Sequence, residues 1–278
     1  MARRLDFSDH RRELGENRYV YAVVSRRARG LSIGINLNPD KVCNFDCPYC
    51  QVDRTVPGGD AAIDLQQLDA ELSDLLQRVT ENTLWDIAPF NTAAPELRRV
   101  ADIAFAGDGE PTAASEFGAA AATIRGLRDA HDPTIPLRLL TNATLLHRAR
   151  VAAALPAFDE LWCKLDAGTE QYFRVVDGTT FPFSRILHNL RELARRRPII
   201  IQSMFLKMGG VGPTDAEISE WVSRLREIGT PRTEVQSIQV YSVARKPSDP
   251  SIGPLDSDRL IWIADQARAA GFAADVYG

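Results

Sequence analysis

Short apolar runs alternate with stretches of helical period along most of this chain. Residues 19–24 alternate enough for a short strand, and 31–36 read as a second. Leu65, Leu68, Leu72, Leu75, Leu76 and Val79 recur at helical spacing and predict a helix over 65–79. The pattern then predicts strands at 102–106, 137–140, 160–165, 198–206 and 237–243. Between and after them it predicts helices at 113–130, 146–155, 183–196, 215–228 and 255–270. Thr214 stands at an N-cap position, Gly271 just past a helix end, and 273–277 offer an extra strand.

Strand–helix alternation of this kind predicts a parallel sheet covered by helices. Eight units would close a TIM barrel; the six read here imply an α/β fold of partial (βα)6 barrel type. The whole of 1–278 reads as a single domain. It has an N-terminal extension at 1–30, a barrel core at about 31–247, and a terminal helix with a possible strand at 248–278. Pro57, Gly58, Gly59 and residues 88–95 read as loops within it.

At 278 residues and 45% hydrophobic, the chain has enough apolar material for a large core. A net charge of −4 provides no global basic field for nucleic acid. The first 30 residues do carry Arg3, Arg4, Arg11, Arg12, Arg26, Arg27 and Arg29. These read as a solvated extension or as a guide for an acidic substrate or electron donor. No apolar run approaches the roughly 18 residues of a membrane span, and the charged start is unlike a signal peptide. The expected location is the cytoplasm.

Three of the four cysteines, Cys43, Cys47 and Cys50, lie within eight residues at C-x3-C-x2-C spacing. Structural zinc sites need four ligands, usually as two separated pairs. Cys163 is far off and has no cysteine or histidine neighbour in sequence. Three close thiolates with an open fourth position suit an iron–sulfur cubane; a degenerate zinc site or a chance cluster are the alternatives. The spacing, with Tyr49 before the third cysteine, resembles the signature of the radical S-adenosylmethionine (SAM) superfamily. The resemblance implies that Cys43, Cys47 and Cys50 ligate a 4Fe-4S cluster. It also implies that the fourth iron binds SAM, and that one electron cleaves SAM to a 5′-deoxyadenosyl radical. A (βα)6 core belongs to the same family.

Ligands of parallel α/β folds gather at the C-terminal strand edges. Gly107, Asp108, Gly109 and Glu110 follow the second core strand, and two glycines let a backbone bend close to a ligand. In the family a glycine-rich turn ending in Glu-Pro binds the SAM amino group, and this is a looser form of it. Thr141 and Asn142 end the next strand and are candidates for ribose or carboxylate contacts, or for a helix-capping turn. In 161–166, Trp162, Lys164 and Asp166 share one side and Cys163 and Leu165 the other. A Lys and an Asp two apart in a strand are costly unless paired or bound. Lys164 and Asp166 are therefore candidates for SAM or substrate contact, or for an ion pair; Cys163 reads as an inert buried thiol. Tyr49 is placed to stack near an adenine. Gln202, Ser203 and Met204 read as cavity-lining, residues 207–210 as a flexible turn and Arg174 as a loop residue. Arg245 is a candidate for an anionic group.

The series FAGDGEPT, LLTNATLL, KLDAG and QVYSVARKP, after the cysteine loop, is similar to the branch related to the tRNA wybutosine-synthesis enzymes and its bacterial members. Those tRNA enzymes carry a second cluster, which Cys163 alone cannot hold; a tRNA substrate is thus open but not favoured. The resemblance implies an enzyme that needs an external one-electron reductant of flavodoxin or ferredoxin type and abstracts hydrogen from a small molecule or nucleotide. The competing classes are a non-catalytic iron–sulfur or SAM-sensing protein and a zinc-stabilised scaffold.

Overall fold

The computed structural model of the protein describes residues 14–25, 30–244, 247 and 249–277. The arginines at 3, 4, 11, 12, 26, 27 and 29, and Arg245, lie outside these residues. Among the described residues six parallel-type βα units follow one another, the topology of a partial (βα)6 TIM-like barrel. Contacts gather the chain into two compact units that interleave in sequence.

The first unit comprises the described residues within 1–42, 57–139 and 149–160. β1 (Val20–Ser25) pairs antiparallel with β2 (Gly30–Ile35). β3 (Val100–Phe105) runs parallel to β2, and β4 (Leu137–Thr141) parallel to β3. β2 is buried along its whole length, as a strand covered on both faces must be. α1 (Leu65–Thr80) begins where the Asp64 side chain accepts from the N–H groups of Gln66 and Gln67. Its Leu68, Leu72, Leu75 and Leu76 are buried, as their spacing predicts. α2 (Phe117–His131) and α3 (Ala149–Ala154) complete the helices of this unit. Phe117 stacks on Phe158 at 5.7 Å, and both meet Phe105 edge-on at 6.2 and 5.0 Å. The buried Glu71 carboxylate accepts from the backbone N–H groups of Arg18, Tyr19 and Val20 at 2.8–2.9 Å, fixing the entry to β1.

The second unit comprises the described residues within 43–56, 140–148 and 161–278. β5 (Glu160–Lys164), which opens one residue before it, runs parallel to β6 (Ile199–Met204). β8 (Val235–Tyr241) runs parallel to β6, and β10 (Ala274–Tyr277) parallel to β8. The short strands β7 (Leu206–Met208) and β9 (Ile252–Pro254) pair antiparallel apart from these. The helices are α4 (Glu170–Val176), α5 (Phe183–Ala194), α6 (Asp215–Ile228) and α7 (Ser257–Ala269). Thr214 caps α6 by accepting from Glu217 N–H, as expected. Trp221 of α6 is fully buried and donates to the Leu165 carbonyl at 3.2 Å and to Ser203 Oγ at 3.1 Å.

Several boundaries differ from the sequence pattern. α2 starts at Phe117 rather than 113, because Pro111–Ala113 form a separate short turn on Glu110. α3 starts at Ala149 because Ala143, at φ +65°, turns the chain out of helix after β4. β8 begins and ends two residues earlier than expected. Residues 207 and 208, expected as part of a flexible turn, form β7 together with Leu206, which was expected to end the preceding strand; the turn itself is Gly209–Gly210, both at positive φ. Arg174 is not in a loop: it lies on α4 and pairs with Glu170 at 2.7 Å with most of its side chain exposed.

Candidate active site

Cys43, Cys47 and Cys50 lie on one loop of the second unit, half-buried and in no disulfide. The loop is pinned at four places. Cys50 N–H donates to the Cys47 carbonyl at 2.9 Å, closing a tight turn around Pro48 and Tyr49. Phe45 is buried edge-on against Phe173 of α4, with ring centroids 5.6 Å apart. Asn44 donates to Thr144 Oγ1 at 2.6 Å and accepts from Asn142 Nδ2 at 2.7 Å. Asp46 N–H donates to the Gly178 carbonyl at 3.2 Å. Gly178 is at φ +56°, and a Cβ there would lie 1.9 Å from the Asp46 carbonyl oxygen, so only glycine lets the two segments meet.

Under this loop lies a charged cluster. Lys164, at the end of β5, is bonded to Asp166 and, at 2.8 Å, to Asp177. Its ammonium also lies 4.6 Å from the centre of the Tyr49 ring, a cation–π contact. The Tyr49 hydroxyl donates to Asp166 Oδ2 at 2.5 Å, and Met204 N–H donates to Asp166 Oδ1 at 2.8 Å. Cys47 Sγ–H points to Asp177 Oδ1 at 3.8 Å. Both carboxylates are almost inaccessible to solvent. Burial opposes charge on Lys164, but Asp166 and Asp177 together hold its pKa well above the ordinary lysine value. One ammonium can neutralise only one of two carboxylates. Burial therefore pushes Asp177 up to about 7 despite Lys164 and with Asp166 adding to the rise. Burial likewise raises the Cys47 thiol, against the pull of Lys164.

Arg54 Nη1 donates to Cys50 Sγ at 3.1 Å. Three thiols on one loop, with a guanidinium donating to one of them, match the donor set of a thiolate-bound iron–sulfur cluster. Among the described residues no group of His, Cys, Asp or Glu is gathered tightly enough to hold a single metal ion. A cubane spreads its thiolates over different irons and calls for no such focus.

The Gly107–Glu110 turn belongs to the first unit and is built there by the end of β2. Asn36 Oδ1 accepts from the N–H groups of Asn38 and Asp108 at 3.0 Å, and Asn36 Nδ2 donates to Asp108 at 2.8 Å. A Cβ on Gly107 would lie 2.2 Å from Asn36 Oδ1, and one on Gly109 2.2 Å from the Val42 carbonyl oxygen. Both glycines are thus required by the packing of this turn. Buried Glu110 accepts from Thr112 Oγ1 at 2.5 Å and from Thr112 N–H at 3.2 Å. Thr141 Oγ1 accepts from Ala143 N–H at 3.1 Å, and Asn142 Oδ1 from Thr144 N–H at 3.1 Å, both within the turn that follows β4 and ahead of α3.

Tyr49, Lys164 and Asp166, singled out in the sequence, meet in one network with Cys47. Asp177, Asn44 and Arg54 were not singled out. Asn44 lay inside the motif, and its short amide was the available signal. Asp177 follows a helix that the pattern did not show, so no strand end pointed to it. Cys163 is fully buried in β5, as read from the alternation. Ser203 Oγ donates to the Leu165 carbonyl at 2.5 Å, and Gln202 to Gln239 at 2.8 Å; both serve the packing of β6.

Residues 37–225 match the profile of the Radical SAM superfamily. The chain belongs to this superfamily and has the partial-barrel fold of that class. It is 29% identical over 158 residues to UPF0026 protein MJ1312 of Methanocaldococcus jannaschii, covering 57% of this chain and 43% of that one. In two further curated relatives the match spans 24 and 48% of their lengths, so the chain spans at most about half of these proteins. A radical SAM methyltransferase from Sphaerobacter thermophilus superposes with a TM-score of 0.65 at 15% identity, over 93% of this chain and 68% of that one. TYW1 with a lysine–pyruvate adduct bound superposes with a TM-score of 0.61 at 12% identity, over 90 and 84% of the two chains. Among the described residues no helix is long and apolar enough to cross a membrane.

Proposed function

We propose that Cys43, Cys47 and Cys50 hold a 4Fe-4S cluster and that the protein binds SAM and abstracts hydrogen from a small-molecule or nucleotide substrate. The observation that carries this reading is the pinned three-cysteine loop with Arg54 on one sulfur and the Lys164 cluster beside another. When bound and reduced, the cluster and SAM supply a 5′-deoxyadenosyl radical. The protein's part is to bind, orient and shelter.

Each residue then has a defined task. The carbonyls of Gly107–Glu110 are the candidate acceptors for the SAM ammonium, while Asp108 and Glu110 shape the turn through Asn36 and Thr112. Tyr49 is held at its hydroxyl by Asp166 and over its face by Lys164, which makes its ring the candidate surface for adenine. Thr141 and Asn142 border the cysteine loop, and Asn142 holds it through Asn44. Lys164 and Asp166 reach SAM in this reading mainly through Tyr49. In this reading the electron comes from a carrier of flavodoxin or ferredoxin type, and an oxygen-sensitive cluster calls for a reducing compartment such as the cytoplasm.

Anaerobic reconstitution tests the reading. Iron and sulfide near four per chain, with an electron paramagnetic resonance signal of the reduced cluster that changes when SAM is added, is the expected result. Zinc without sulfide, or a cluster signal indifferent to SAM, would overturn it.

A further inference from the structure

We infer that Arg54 is a positioning residue that sets the reduction potential of the cluster proposed for Cys43, Cys47 and Cys50, an inference that rests on that reading. Arg54 lies four residues beyond Cys50, and its Nη1 donates to Cys50 Sγ at 3.1 Å. A guanidinium stays charged under all conditions in which a protein folds. Its hydrogen bond to a thiolate is charge-assisted and therefore stronger than a neutral one. Cys43 and Asp46 also act electrostatically on Arg54, so its charge bears on more than one part of the loop.

The contrast with Cys47 makes this charge matter. The ammonium nearest Cys47, Lys164, is already matched by Asp166 and Asp177, so that side of the loop carries no surplus positive charge. Reduction adds one electron from an external one-electron carrier. No bond forms or breaks, and Arg54 keeps its protons. The added negative charge is stabilised by a fixed cation on a ligand sulfur more than the oxidised state is. Hydrogen bonds and charge at the sulfurs are the levers that tune such potentials. Arg54 thus makes the cluster easier to reduce.

The test compares wild type, Arg54→Gln and Arg54→Lys, reconstituted without oxygen and titrated electrochemically while the reduced-cluster signal is followed. Iron and sulfide are measured on each sample. The expected result is full iron and sulfide in all three. For Arg54→Gln the equilibrium constant for reduction falls about tenfold, a potential about 59 mV more negative for one electron. Arg54→Lys falls in between, since it keeps the charge and loses the planar fork. Equal potentials in loaded variants would overturn the inference. So would failure of both variants to load where wild type loads, because Arg54 would then serve assembly. If wild type itself holds no cluster, it is the proposed function that fails, and that result is separate.

Discussion

The Tyr49 hydroxyl donates to Asp166 Oδ2, joining the residue before the third cysteine to the first acidic residue beyond β5 across 117 positions of sequence. The bond fixes the ring that the proposed function assigns to adenine. Tyr49→Phe keeps the ring and removes the donor. Asp166 retains Lys164 and Met204 N–H, so the expected stability loss is about 1 kcal/mol. SAM affinity should change less than about threefold, whereas Tyr49→Ala should weaken it by about tenfold or more. Calorimetric SAM titration of the reconstituted proteins checks both, and equal affinity in the two variants contradicts the stacking role.

Lys164 stands between two buried carboxylates, and removing it strands both. Lys164→Met should destabilise the fold by about 3–5 kcal/mol, the usual cost of leaving buried charge without its partner. Adding Asp166→Asn should restore part of that loss. Urea unfolding of the single and double variants measures the coupling; additive effects would mean that Lys164 and Asp166 do not interact.

Gly178 should tolerate no side chain. Gly178→Ala forces φ +56° on a Cβ that meets the Asp46 carbonyl, one residue from Cys47. The expected outcome is loss of more than about 1 kcal/mol of stability and less iron retained on desalting. Full iron retention would show that the loop shifts freely.

Asp159 supplies a pH dependence away from the cysteines. Burial raises its pKa, but the Arg128 guanidinium and Leu137 N–H more than offset this and hold it below the ordinary aspartate value. A carboxylate with a depressed folded pKa stabilises the fold above its unfolded pKa of about 3.9. That contribution is lost as pH falls through the lower folded pKa. Asp159→Asn should be less stable than wild type at pH 7, and the difference should shrink as pH drops below about 4. Thermal unfolding at a series of pH values reads this, and a gap that widens in acid contradicts it. Added salt should narrow the gap at pH 7, since Asp159 is partly exposed.

Much of this molecule was legible in its sequence, for physical reasons that vary by element. α1 was clear because its leucines repeat at helical spacing with a buried face. The cysteine loop was clear because its ligand spacing has few other uses. α4 was not, because seven residues give too little periodicity and its Thr169 cap lies next to a glycine. β7 and β9 were hidden because three-residue strands carry no alternation. The pairing of Lys164 and Asp166 was one of two readings that the cost of burying them left open, beside contact with a ligand. The third partner, Asp177, could not be read, since it arrives from the end of an unseen helix. Asn44, Asn142 and Thr144 form a lock whose members are small polar residues that sequence cannot distinguish from ordinary turn formers.

The most direct test of the central proposal is reductive SAM cleavage. The reconstituted protein, given SAM and dithionite without oxygen, should form 5′-deoxyadenosine and methionine. Formation should persist in Cys163→Ala, whose thiol is buried in β5, and disappear in Cys47→Ala. Product in Cys47→Ala, or its loss only in Cys163→Ala, would contradict the assignment of the loop cysteines to the cluster and the function built on it.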